Sequence, residues 1–267
     1  MSLLASSAEA LIPKEIQSAA VFGVKLYWHS SDAETLKFLS KEIKEKSIRY
    51  QTSWDPDCFY RPLISQSCPK STRPGDLDEI SHLSKQVKYE TDGFFDIYRL
   101  KDGVTKRDFG GIAQAFFLEV LKQKVRKPWF ANFAGDIYQS PFYSQLSGPI
   151  EIAEPLAPKV RFAKVILKFG GWAVFSEAGG SNPKPDFRQV VLFAEPNFNG
   201  GRLDAWATTI VRGGRKYLEK LWANATFTEK WAYLYFGSRG EVICSPNIEC
   251  QLDLPPSMRT VTVDFRS

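Results

Sequence analysis

The chain has 267 residues, 43% apolar and 24% charged, which is enough to bury a sizeable core as one large domain or two small ones. Its net charge of +5 comes from Lys and Arg spread along the chain, without a basic stripe interleaved with aromatics, so no nucleic-acid partner is expected. No apolar run approaches the ~20 residues that a membrane-spanning helix needs, so no transmembrane segment is expected either.

Read from the N-terminus, Met1 to Ala10 are small and apolar but lack a basic start and a lipobox cysteine, so no signal peptide is visible in this chain. Residues 1–20 read as a loosely ordered leader, and residues 21–267 as one domain without repeats or a Pro/Gly/Ser linker. Val24–His29 has the character of a strand. Ser31-Asp32-Ala33-Glu34 fits a capping box, and Leu36, Leu39 and Ile43 give the segment behind it an apolar helical stripe. Leu77, Ile80, Leu83 and Val87 predict a second amphipathic helix, closed by a turn at Asp92-Gly93.

A third helix is expected from Gly110 to about Val125, with Ala113, Phe116, Phe117, Val120 and Leu121 facing inward. The dense basic cluster from Lys122 to Lys127 reads as its solvated end. Strand-like stretches follow at Trp129–Tyr138, Val160–Phe169, Trp172–Ser176 and Gln189–Ala194. A fourth helix is expected from Leu203 to Trp222, and then strands at Ala232–Phe236 and Glu241–Cys244 around the turn Gly237-Ser238-Arg239-Gly240. Helices and strands mix without strict alternation, which predicts an α+β fold.

Aromatics make up 14% of the chain, with 20 Phe and 7 Trp, which suits either a Phe-rich core or a site that stacks planar rings. The four cysteines form two local pairs, Cys58 with Cys68 and Cys244 with Cys250, without CxxC spacing. Each pair reads either as a disulfide of an oxidising compartment or as two thiols. His29 at a strand end and His82 within a helix suggest no catalytic dyad, and GxSxG, P-loop and HExxH motifs are absent.

Two segments could carry chemistry. Asp108-Phe109-Gly110-Gly111-Ile112-Ala113 sets a carboxylate before a helix with two glycines in its first turn, where backbone N–H groups can meet an anion. The plainer alternative is an Asp N-cap and a permissive turn. Asp204 and Thr208 stand four apart on the fourth helix, so their oxygens share a face and suit a hard cation such as Mg²⁺. The plainer alternative there is a polar stripe near a helix start.

These segments occur in an order that resembles the ApbE family, the FAD:protein FMN transferases. Glu90-Thr91-Asp92-Gly93-Phe94-Phe95-Asp96 resembles the family's TDGxFD motif. DFGGIAQ, Asp108 to Gln114, is similar to DLGGIAKG, and Asn132-Phe133-Ala134-Gly135-Asp136-Ile137 to NIGGDI. LDAWAT, Leu203 to Thr208, resembles ADALAT, and the helix continues through Gly213-Gly214 as in the family. Val21-Phe22-Gly23-Val24 stands where the family has its MGT strand, and Ser53-Trp54-Asp55-Pro56-Asp57 resembles its S-Y/W-x-P-D segment.

The resemblance implies one ApbE-like domain, an antiparallel sheet packed by helices, that binds FAD with magnesium. It implies transfer of FMN to Ser or Thr of an acceptor flavoprotein carrying Ser/Thr-Gly-Ala-Ser/Thr, in the periplasm or cell envelope. Carried over by position, the metal ligands are the Gly111 carbonyl, Asp204 and Thr208. The flavin contacts are Phe22, Trp54, Phe94, Phe95, Asp96, Asp108 and Gln114. The chain also departs from the pattern. Gln114 replaces a charged residue, Phe175-Ser176-Glu177 replaces TSG, and only 11 residues separate Asp96 from Asp108 where the family carries a long insertion. The family's HIIDPRTG segment has no counterpart, and Gly179 to Arg188 contains no His. The expectation is an ApbE-like FAD-binding protein with FMN transfer slow or lost; the alternatives are a non-catalytic flavin or nucleotide-binding protein and a structural or interaction protein with an empty pocket.

Overall fold

The computed structural model describes residues 16–53, 75–101, 104–107, 109–141, 143, 150–154, 157–177, 187–224, 230–237, 240–251, 253–255 and 258–265. Three layers stack through it. Helices cover one face of an eight-stranded antiparallel sheet, and a four-stranded sheet covers the other. This is the expected α+β architecture.

The large sheet starts with a hairpin of β1 (Gln17–Val21) and β2 (Val24–His29), joined at Phe22-Gly23 with φ of 53° and 75°. Two positive φ angles match the right-handed strand twist in a two-residue turn. Gln17 to Ala20, expected as leader, are thus strand residues paired with Lys25 to Trp28.

Helix α1 (Ala33–Ser53) begins on a different cap from the expected one. The Asp32 carboxylate accepts from the Thr35 backbone N–H at 2.9 Å and the Thr35 hydroxyl at 2.6 Å. Those two bonds also hold its pKa below the ordinary carboxylate value. Asp32, one residue after Ser31, takes the cap because its carboxylate is the stronger acceptor.

Helix α2 (Gly75–Glu90) leads through a run of turns and bends, residues 91–97, to the ribbon β3 (Tyr98–Lys101) and β4 (Val104–Arg107). Helix α3 (Ala113–Lys124) then starts after the turn at Gly110 to Ile112. The predicted strand Trp129–Tyr138 is two strands, β5 (Phe130–Phe133) and β6 (Asp136–Gln139), because Ala134 and Gly135 turn the chain at φ 53° and 107°. The Asn132 side chain holds that turn by accepting from the Gly135 N–H at 3.0 Å.

Strands β7 (Ile150–Glu154) and β8 (Ala157–Leu167) belong to the small sheet, whereas β9 (Gly171–Glu177) and β10 (Phe187–Ala194) return to the large one. The apolar run of β10 reflects burial on both faces. Val190, Leu192 and Ala194 join the helix-side core, and Val191 and Phe193 join the core between the sheets.

The predicted fourth helix is two helices, α4 (Gly200–Gly213) and α5 (Arg215–Asn224), broken at Gly214 with φ 84°. Helix α4 is buried almost all round, so it is the central helix of the fold rather than a one-sided surface helix. Strands β11 (Trp231–Gly237) and β12 (Val242–Cys244) finish the large sheet. Strands β13 (Glu249–Gln251) and β14 (Thr260–Val263) finish the small one.

Of the two cysteine pairs, Cys244 and Cys250 form a disulfide, and Cys58 and Cys68 lie outside the described residues. The aromatic enrichment goes largely into the core, where Trp129, Trp172, Trp206 and Trp231 are all buried. Among the described residues, no helix is long and apolar enough to cross a membrane.

Candidate functional site

The TDG segment is a helix stop that aims two rings in different directions. Fully buried Thr91 donates its hydroxyl to the Val87 carbonyl at 2.8 Å and accepts from the Phe95 N–H at 3.0 Å. Gly93, at φ 79°, closes α2 by donating to the Lys88 carbonyl at 2.7 Å, a conformation that glycine adopts without a Cβ penalty. Phe95 therefore turns into the core, while Phe94 stays 41% exposed with its ring 4.5 Å from that of Tyr217. Asp96 is fixed between Lys88 Nζ at 2.5 Å and the Tyr98 N–H at 2.9 Å.

This segment lines one pocket of about 310 Å³ together with residues from the turn before α3 and from α4. Its walls are Phe94, Phe95, Asp96, Tyr98, Gly111, Thr208, Thr209 and Arg212. Five positions expected at a site from motif order therefore meet here: Phe94, Phe95, Asp96, Gly111 and Thr208. Tyr98, Thr209 and Arg212 had no motif to announce them. Gln114 lies half-buried in the first turn of α3, and Phe22 packs on the core between Phe133 and Phe117, each with ring centroids 5.9 Å away. Neither lines this pocket. Trp54 and Asp108 lie outside the described residues.

Helices α3 and α4 run antiparallel, with Gly111 against Thr208, Phe116 against Gly201 and Glu119 against Gly200. At Gly111 the backbone comes so close to the Thr208 side chain that a Cβ would sit 2.8 Å from Thr208 Oγ1. Only glycine permits that approach.

Asp204 lies one turn before Thr208 on α4. The two are 5% and 7% exposed, so they are not the solvent-facing polar stripe of the plainer alternative. Asp136, at the start of β6, is also buried, and its carboxyl accepts from the backbone N–H groups of Phe175 and Ala115. Among the described residues, Oδ2 of Asp136 and Oδ2 of Asp204 have no hydrogen-bond partner. Burial pushes the Asp204 carboxyl up to about 7, partly opposed by the positive charge of Arg212. Asp136 is raised well above the ordinary carboxylate range, first by burial and then by the negative charge of Asp204.

Buried unpartnered carboxylate oxygens are costly, and a bound cation is one way to offset that cost. Among the described residues no group of three or more His, Cys, Asp and Glu side chains could hold a metal ion. The set here is a carboxylate and a hydroxyl beside a closely approaching backbone, with oxygen donors that suit a hard cation. The residues present fit Mg²⁺.

A larger cavity of about 900 Å³ lies at α2, α4 and α5. Its acidic groups are matched internally: Glu90 takes Arg202 at 2.9 Å and the Trp206 indole N–H at 2.7 Å, and Asp92 pairs with Lys220. Size favours that cavity; Asp136 and Asp204, which carry the unmatched carboxyl oxygens, line neither, and the smaller one is reached from Asp204 only through Thr208, one turn along α4. His29, bonded through Nδ1 to the Tyr143 hydroxyl at 2.5 Å, and exposed His82 line neither cavity.

No protein-family model and no curated protein matches the chain. Solved structures do. The flavin transferase ApbE of Vibrio cholerae aligns with a TM-score of 0.61 and 12% identity, over 90% of this chain and 98% of its own. The ApbE protein of Thermotoga maritima aligns with a TM-score of 0.62 and 14% identity, over 87% of this chain and 97% of its own. The apo flavinyl transferase ApbE of Pseudomonas stutzeri aligns with a TM-score of 0.59 and 14% identity, over 92% and 97%. The chain thus has the ApbE flavin-transferase fold along most of its length, at a sequence distance that marks it as divergent.

Proposed function

We propose that this chain is an ApbE-type protein that binds FAD together with Mg²⁺ and has lost most of the ability to transfer FMN. The observation that carries the reading is the buried Asp204 carboxylate, with an oxygen that has no hydrogen-bond partner among the described residues, one turn from Thr208, whose own side chain packs on Gly111. Asp204, Thr208 and the Gly111 carbonyl would hold the cation. Bound there, Mg²⁺ supplies positive charge to neutralise the phosphate oxygens of FAD.

The protein's own residues supply the rest. Exposed Phe94 and Tyr98 offer ring faces at the pocket, and Trp54 is assigned to the flavin or adenine by motif position. The start of α3 brings a helix dipole that favours an anion, with the Ile112 and Ala113 N–H groups bonded to the Phe109 carbonyl and that of Ala115 to Asp136. Phe22, Asp108 and Gln114 keep their motif-based assignment to the flavin.

Weak transfer follows from what the pocket lacks. Both histidines lie elsewhere, so the acceptor hydroxyl has no imidazole to take its proton, a contribution typically worth ~10²–10⁴-fold. The test is incubation with FAD, Mg²⁺ and a peptide carrying Ser/Thr-Gly-Ala-Ser/Thr, followed by mass spectrometry. FAD retained by the protein with little or no FMN-peptide is the expected result. Multiple-turnover labelling that vanishes in Asp204→Ala would show that the transferase is intact.

A further inference from the structure

Helix α4 carries Asp204, Thr208 and Arg212 at successive i, i+4 positions, so they form one line along the helix, about 12 Å from first to last. The line runs from the buried carboxylate, past Thr208, to an exposed guanidinium in the last turn. Thr208 and Arg212 both line the smaller pocket. The charge of Arg212 reaches inward far enough to oppose the burial effect at Asp204.

Arg212 is the one cationic side chain on the described walls of that pocket. The one anionic side chain there, Asp96, is tied to Lys88 and to the Tyr98 N–H. Opposite α4, Gly111 brings the start of α3 to the same space, and its dipole favours negative charge. Phe94 and Tyr98 expose ring surface beside it, at 41% and 39%. A cation, a helix N-terminus and two rings around about 310 Å³ match a ligand with a planar ring system and a phosphate.

We propose that Arg212 is a phosphate-recognition residue that makes this pocket select phosphorylated ring ligands over neutral ones. This deepens the flavin-binding reading by naming the group that separates FAD and FMN from riboflavin. The planar guanidinium can take two phosphate oxygens at once, and a lysine at this position would act only as a point charge.

The test is titration of the purified protein with riboflavin, FMN, FAD and inorganic pyrophosphate in the presence of Mg²⁺. Wild type is compared with Arg212→Ala and Arg212→Lys, after thermal melts show that both variants fold. Arg212→Ala is expected to weaken FAD and FMN by about 10–100-fold and riboflavin by less than about 2-fold, with Arg212→Lys in between. Equal weakening of riboflavin and FAD, or unchanged FAD affinity, overturns the proposal. If wild type binds no flavin, the flavin reading fails by itself and pyrophosphate decides about Arg212. Arg212-dependent pyrophosphate binding would sustain its role, and absence of pyrophosphate binding would end it.

Discussion

Two buried carboxylates on the α3–α4 interface have opposite surroundings. Glu119 is fully matched: Oε2 accepts from the Gly200 N–H at 3.0 Å, and Oε1 pairs with Lys122 at 2.8 Å. Lys122 in turn donates to the carbonyls of Pro196 and Phe198 at 3.1 and 3.0 Å. Asp204, one helical turn from Gly200, keeps an oxygen with no partner among the described residues and stands in the field of a second carboxylate, Asp136. The same two helices thus build a closed polar network at one point and leave an open one at the next. The closed network locks the start of α4 against α3. The open one is where a ligand can contribute.

The largest effect should come from breaking the closed network. Glu119→Ala leaves the Lys122 ammonium half-buried without its carboxylate and removes the acceptor of the Gly200 N–H. Urea unfolding should show a loss of about 3–5 kcal/mol, the range for removing one partner of a buried pair. A loss below about 1 kcal/mol would place Lys122 in water and remove the contrast with Asp204.

The open network should respond in the other direction. Asp204→Asn removes a buried charge that the metal-free fold must accommodate, so the variant should be more stable than wild type at pH 8 without Mg²⁺. The gain should be about 1–3 kcal/mol, the range for a buried polar group left unsatisfied. A variant less stable than wild type under those conditions would mean that the carboxylate is already satisfied.

The pH dependence sharpens the same point. Folding raises the Asp204 carboxyl from 3.8 to about 7, so the folded state binds its proton more tightly than the unfolded state does. Stability from this group is therefore greatest at low pH and declines as pH rises through the window from 3.8 to about 7. Asp136, raised in the same direction, adds to the decline. Thermal melts of metal-free wild type between pH 5 and 8 should show the fall, and Asp204→Asn should flatten it.

A smaller effect is expected at the helix contact. Gly111→Ala puts a methyl 2.8 Å from Thr208 Oγ1, so the helices must part or the threonine must turn. Stability should drop by about 1–3 kcal/mol and cation affinity should fall with it. A variant with unchanged melting and unchanged Mg²⁺ affinity would show that the close approach has no role.

Much of this frame was legible in the sequence. The stop at Asp92-Gly93, the glycines before α3 and the Asp204/Thr208 spacing are local patterns, and local chemistry determines them. The break at Gly214 was hidden because the apolar pattern continues from α4 into α5. The β5–β6 turn was hidden because one of its positive-φ residues, Ala134, is not the usual glycine or asparagine. Lys122 belonged to a basic run that reads as solvated, yet burial lowers its pKa while Glu119 holds it charged. That burial depends on Pro196 and Phe198, more than 70 residues away in sequence. Asp136 and Arg212 acquire meaning only when a strand start and a helix end are brought to the same end of α3, which no spacing within the chain reveals.

The contrast between Glu119 and Asp204 rests on one claim, that the open carboxylate is a cation site. Isothermal titration of metal-free protein with Mg²⁺ at pH 8, in wild type and Asp204→Asn, tests it most directly. Saturable binding of one Mg²⁺ by wild type, absent in a folded Asp204→Asn, is the predicted result. Equal Mg²⁺ binding by the two proteins, or none by either with and without FAD, would contradict it.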